Sequence, residues 1–150
     1  MMSLLWIWDR LRSRLPAGEA DRLRKAILGF RYWMDTPGDD VMWFWSENHV
    51  LCFHIAEHLA GQMLPDAIFG NSGLRGKDHR DQGATRLHRW FDAIDEHGLA
   101  EWNSAAYYPI NYRGLLALYT LSQDEDLRGR AKTLLDRISL MVALHVTGGV

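Results

Sequence analysis

The chain has 150 residues, 47% of them hydrophobic and 24% charged, with a formal net charge of −2. That length supports one domain with a real core. The composition excludes wholesale disorder, and the charge gives no electrostatic footing for a nucleic-acid partner.

Apolar residues recur at helical spacing along nearly the whole chain, and no run alternates with period two, so the reading is all-α. The first stripe is Leu4, Trp8, Leu11 and Leu15, ended by Pro16-Ala17-Gly18. Its opening apolar run, Leu4 to Trp8, is too short for a signal-peptide core or a membrane span. The default expectation is therefore a cytoplasmic protein without a membrane partner. Arg10, Arg12, Arg14, Arg22, Arg24 and Lys25 alternate with apolar positions, as on the wet side of amphipathic helices. A second stripe, Ala20, Leu23, Ile27, Phe30 and Met34, is ended by Thr36-Pro37-Gly38. The third helix is predicted from about Val41 to Met63, apolar on most sides and hence buried. It carries Cys52, a lone cysteine that excludes an intrachain disulfide.

Leu87, Trp90, Phe91 and Ile94 mark a fourth helix, ended at Gly98. Leu115, Leu116, Leu118, Tyr119 and Leu121 mark a fifth. The sixth carries Leu127, Ala131, Leu134, Leu135, Ile138, Met141 and Val142, opened by the cap region Ser122-Gln123-Asp124. Most connections are short, which places consecutive helices antiparallel. Two are longer, Pro65 to Lys77 and Gly98 to Pro109, and long ordered loops are more often functional than short ones.

Alternation of direction then gathers distant segments. If the end where the third helix begins is the top, the second helix finishes there with Tyr32 and Trp33. The third begins there with Trp43, Trp45, Glu47, Asn48 and His49. The Gly98 to Pro109 loop and His145 arrive at the same end, while the Pro65 to Lys77 loop belongs to the bottom.

Trp45-Ser46-Glu47-Asn48-His49 is the most polar stretch of an otherwise apolar helix. Burying a carboxylate, an amide and an imidazole together costs several kcal/mol unless they are paired or face a cleft. Helix capping with a satisfied core histidine is one account, and a cleft wall is the other. Glu101-Trp102-Asn103-Ser104 followed by Tyr107-Tyr108 offers carboxylate, indole, amide and phenols, a set that suits a sugar. The plainer account has the aromatics plugging the core and Glu101 in water. Asn111 and Arg113 follow, and Arg113 is placed either to anchor a carboxylate ligand or to pair with Glu101 or Glu47.

Asn48-His49 inside a helix, then Tyr107-Tyr108 and Tyr112-Arg113-Gly114 opening a later one, resemble the alginate-lyase and heparinase-type polysaccharide lyases. The catalytic domains of that family are toroids of antiparallel helix pairs. The run from Glu47 to Gln62 is also similar to uncharacterised bacterial proteins of toroid type, which implies a fold and no activity. The lyase resemblance implies β-elimination on an acidic poly- or oligosaccharide without a cofactor. In that scheme Asn48 neutralises the uronate carboxylate, and His49 is the base or its partner. Tyr108 is the acid/base, and Arg113 a substrate clamp that lowers the Tyr108 pKa. Trp45, Glu47, Glu101, Trp102, Asn103 and Tyr107 would line the cleft. Glu47 departs from the pattern, since these lyases often have another Asn there. A complete toroid needs about a dozen helices, and this chain offers about half of them at typical lengths. Either a longer protein or self-association would complete the ring, and an incomplete ring should expose apolar helix faces.

Two other chemistries need weighing. His54-Ile55-Ala56-Glu57-His58 reads as H-x-x-E-H, with His54 and His58 one turn apart on a helix face as in inverted zinc proteases. Those enzymes add a third acidic ligand within a mixed α/β fold. Here the nearest candidate, Glu47, is roughly 10 Å away along the helix. A polar seam between helices is the preferred reading of His54 and His58, with no metal expected, and His79, His88 and His97 read as surface positions. A glycoside hydrolase on the same scaffold would instead use two carboxylates facing across the cleft, Glu47 and Glu101. A non-catalytic interaction domain is the remaining alternative.

Overall fold

The computed structural model describes residues 1–146. It is all-helical: α1 (Met2–Leu11) runs into a 3-10 turn (Arg12–Arg14), followed by α2 (Ala17–Leu28), α3 (Glu47–Met63), α4 (Gly76–His97), α5 (Tyr108–Leu121) and α6 (Glu125–His145). Among the described residues there is no strand, only an isolated antiparallel bridge between Ile68 and Arg75. No helix among them is long and apolar enough to cross a membrane.

The third helix is central, as its all-round apolar composition predicts. It packs along α4, α5 and α1, while α5 pairs with α6. Leu51, Ile55, Ala56, Leu59 and Ala60 of α3 meet Leu87, Phe91, Leu115 and Leu118 in one continuous core. Glycine sets the closeness of the α3–α4 crossing. A Cβ on Gly61 would stand 2.3 Å from the Gly76 carbonyl oxygen and the Arg80 nitrogen, and one on Gly83 would stand 2.6 Å from the His58 nitrogen. Backbone therefore rests on backbone, a contact no other residue permits without separating the helices. The cap expected before α6 is present: Asp124 accepts from the Leu127 amide at 3.0 Å.

Two boundaries depart from the apolar pattern. The second helix stops at Leu28 with Gly29 as its C-cap, so Phe30 and Met34 lie beyond it. The third begins at Glu47, not near Val41. Between them runs an irregular connector, residues 29–46, far longer than the short link expected. Within 41–45, Val41, Trp43, Phe44 and Trp45 are exposed and Met42 alone is buried, so this tip is apolar without presenting one apolar face. Trp43 has a positive φ of 50°, which a helix does not tolerate.

The connector also reverses the expected position of Tyr32 and Trp33. The Leu28 carbonyl accepts from the Gly70 amide at 2.8 Å, so α2 ends against the lower loop. Tyr32 is buried there against Phe69 and His79, and Trp33 packs on Phe53 and His54. Alternation fails at this one link, because a long connector lets the chain climb without a helix. From α3 to α6 it holds: the Ala100 amide meets Glu47 at one end and the Gln123 amide meets Gln62 at the other.

Candidate functional site

At the upper end, the start of α3 and the 98–107 loop come together as expected. The Ala100 amide donates to Glu47 Oε2 at 2.7 Å, and the Ser46 hydroxyl lies 3.3 Å from Glu101 Oε1, to which it donates. His145 closes the same end with an edge-on contact to Trp102, ring centroids 5.8 Å apart. Local conformation explains the loop's shape. Asn103 adopts a positive φ of 52°, a region Asn tolerates. Ser104 accepts from the Tyr107 amide at 3.2 Å and its carbonyl from Tyr108 at 3.0 Å, which starts α5.

These elements enclose a groove of about 570 Å³ lined by Trp43, Trp45, Ser46, Glu47, His49, Ala100, Glu101 and Tyr107. Trp45 is 64% exposed and meets both Trp43 and Phe44 edge to face, forming an aromatic rim. Seven buried side-chain polar atoms among the described residues lack a protein partner. Three of them, Glu47 Oε1, His49 Nδ1 and Glu101 Oε2, belong to side chains of this groove. Glu47 holds its proton more tightly than an ordinary carboxyl. Burial is the main cause, the Ala100 amide opposes it, and the charge of Glu101 adds to it.

The expected site residues thus divide between two places. Trp45, Glu47, His49, Glu101 and Tyr107 share the groove. Asn48 does not reach it in the same way: it is buried, with its amide against the Ser46 hydroxyl. Tyr108 is 4% exposed, and its hydroxyl accepts from the Asn103 amide at 2.6 Å. With Asn103 it lines a second, mostly apolar groove of about 670 Å³ between α5 and α6. Trp102 is exposed beside His145, and Arg113 is exposed and outside both linings. The connector residue Trp43 was expected near this end but not as a groove wall, and its strained backbone is the kind found at binding sites.

A second polar cluster lies lower on α3. His79, expected at the surface, is 2% exposed. Its Nδ1 lies 3.0 Å from Glu57 Oε1, and its Nε2 lies 2.6 Å from the Ser72 hydroxyl. Arg86 donates to Glu57 Oε2 at 2.7 Å and continues to Asp35. The Tyr32 phenol is buried beside this cluster, and burial with the Glu57 charge pushes its pKa up. His58 is likewise engaged at both nitrogens, with the Arg80 carbonyl at 3.1 Å and Ser122 Oγ at 3.0 Å. No lone pair of His58 is left for a metal, and Glu57 faces the helix seam. His54 packs on the Trp33 ring, 4.4 Å between centroids, and burial followed by the nearby Arg86 charge lowers its pKa to about 4. The H-x-x-E-H string is thus a seam between α3, α4 and the α5–α6 link. No group of three His, Cys, Asp or Glu among the described residues is placed to hold a metal ion.

No protein-family model, curated protein or solved structure matches this chain.

Proposed function

We propose that the upper groove binds a saccharide and cleaves a glycosidic bond by hydrolysis, with Glu47 as the general acid and Glu101 as its partner carboxylate. One observation carries this reading: two carboxylates from different elements enter one aromatic-rimmed groove, each with an oxygen free of protein partners. Hydrolysis needs two carboxyl groups in different protonation states flanking the bond. The acid's role falls to Glu47, whose proton affinity is raised by burial and, further, by the Glu101 charge. Protonated, Glu47 gives its proton to the departing glycosidic oxygen. Glu101 then either activates water or stabilises positive charge developing at the anomeric carbon. Trp43, Trp45 and Tyr107 offer faces on which pyranose rings stack.

β-Elimination, the activity implied by the lyase resemblance, draws less support. Of its four named residues only His49 lines the groove, while Asn48, Tyr108 and Arg113 are turned to other surroundings.

The test incubates the folded chain with oligosaccharide panels, reading new reducing ends and, separately, the ultraviolet absorbance of an unsaturated product. Hydrolysis predicts reducing ends without absorbance. It also predicts a loss of about 10²-fold or more in both Glu47→Gln and Glu101→Gln, with Tyr108→Phe close to the parent. An absorbance rise that disappears in His49→Ala would overturn hydrolysis in favour of elimination.

A further inference from the structure

We infer that the saccharide taken by this groove is an amino-sugar oligomer with free, protonated amines. The inference rests on the carbohydrate reading above and narrows it to a substrate class. It starts from a charge imbalance: the lining contains Glu47 and Glu101 and neither lysine nor arginine. Each carboxylate has one oxygen tied to protein, Glu47 Oε2 to the Ala100 amide and Glu101 Oε1 to the Ser46 hydroxyl. The other two oxygens, Glu47 Oε1 and Glu101 Oε2, are buried behind the groove wall without a protein partner, so no protein group offsets the charge of this wall.

The three kinds of sugar ring differ sharply against such a wall. A uronate brings a further carboxylate to a wall that holds Glu101 and the proton-retaining Glu47 and no protein countercharge, and like charges at contact in a partly desolvated site repel strongly. A neutral ring donates hydroxyl hydrogen bonds and leaves the charge where it was. An ammonium has three N–H donors and no acceptor, and it supplies the missing positive charge. The rim adds a second preference in the same direction, because the faces of Trp43, Trp45 and Tyr107 attract cations.

Sugar chemistry supplies the geometry. An amine at C2 is carried on the carbon next to the anomeric centre, so carboxylates that flank a glycosidic bond also reach it. The acidic and imidazole groups do not converge on a point that would hold a metal ion.

The experiment is isothermal titration of the full chain with oligomers of equal length: glucosamine, its N-acetylated form, glucose and galacturonate. The glucosamine oligomer should bind about ten-fold more tightly than the glucose oligomer. N-acetylation or high salt should erase that advantage. Glu101→Gln, near-isosteric and verified as folded by circular dichroism, should remove the advantage while retaining neutral-sugar binding; Glu47→Gln is the second variant. Equal affinity for glucosamine and glucose oligomers overturns the inference and leaves the carbohydrate reading standing. Tightest binding of galacturonate overturns it and returns the site to elimination. Binding of none of them overturns both.

Discussion

Helix α3 carries two polar clusters, and they differ in how completely their carboxylates are partnered, although His54 Nδ1 beside the lower one is also without a partner. In the lower one, Glu57 is 1% exposed and both its oxygens are bonded, to His79 and to Arg86. His79 and His58 each use both ring nitrogens. About 15 Å up the same helix, at its rise per residue, Glu47 and His49 each keep an unpartnered atom, as does Glu101 opposite. Burial alone does not tell a structural polar group from a reactive one. At the carboxylates the difference is whether the protein itself satisfies them: Glu57 ties α3 to α4, whereas Glu47 and Glu101 each keep one oxygen that no protein group satisfies.

The sharpest way to break this comparison is to damage the lower cluster and look for an effect in the upper one. Replacing Arg86 by Met keeps an unbranched apolar stem, removes the guanidinium and leaves the buried Glu57 with His79 alone. Removing one partner of a buried ion pair costs about 3–5 kcal/mol, so chemical denaturation should show a loss of that order. Saccharide affinity of the protein that remains folded should be unchanged. A variant as stable as the parent would mean that this cluster does not hold α3 to α4.

The contrast also explains what the sequence made legible. Helical periodicity revealed an all-α chain, and the α3-to-α6 part of the alternation correctly brought Glu47, Glu101 and His145 to one end. Tyr32 went to the wrong end because nothing in Phe30 to Trp45 announces an irregular climb; its apolar residues imitate a stripe while most of the tip is exposed. His79 was misplaced for a different reason. Its partners, Glu57 and Ser72, lie 22 and seven residues away and belong to other elements. A buried hydrogen-bonded pair across a helix crossing leaves no periodic trace. One signal was available, the glycines Gly61, Gly76 and Gly83, which mark how closely α3 and α4 approach and so how deeply His79 must sit. Between Tyr107 and Tyr108 spacing could not decide, and the turn at Ser104 decides it, sending Tyr107 to the acidic groove and Tyr108 to the α5–α6 side.

Acid should find the lower region first. The pKa of His54 is lowered to about 4, and burial lowers that of His58 as well. A histidine depressed in the folded state takes up its proton in the unfolded chain first. Stability is therefore full above the ordinary histidine pKa and falls as pH drops from about 6.5 toward 4. His54 alone contributes up to about 3 kcal/mol to that fall. Denaturation midpoints across this window, with His54→Phe as the comparison, measure it. The variant should lose part of the pH dependence, and a profile identical to the parent's would show that His54 titrates normally.

The smallest expected effect belongs to the groove and has the opposite sign. Glu47 is held toward its protonated form, chiefly by burial and further by the Glu101 charge. An acid with a raised pKa in the folded state gives stability that is greatest when it is protonated. Stability then falls as pH rises from the unfolded to the folded pKa, because the native chain holds the proton that the unfolded chain has released. Glu47→Gln keeps an acceptor for the Ala100 amide and removes the charge. It should raise the melting temperature at neutral pH by roughly 2 °C, with the gain vanishing in acid. The same substitution should abolish glycosidic cleavage. A gain in stability together with a loss of activity is the mark of a group held in place for chemistry, since a group serving only the fold would lose stability when its charge is removed.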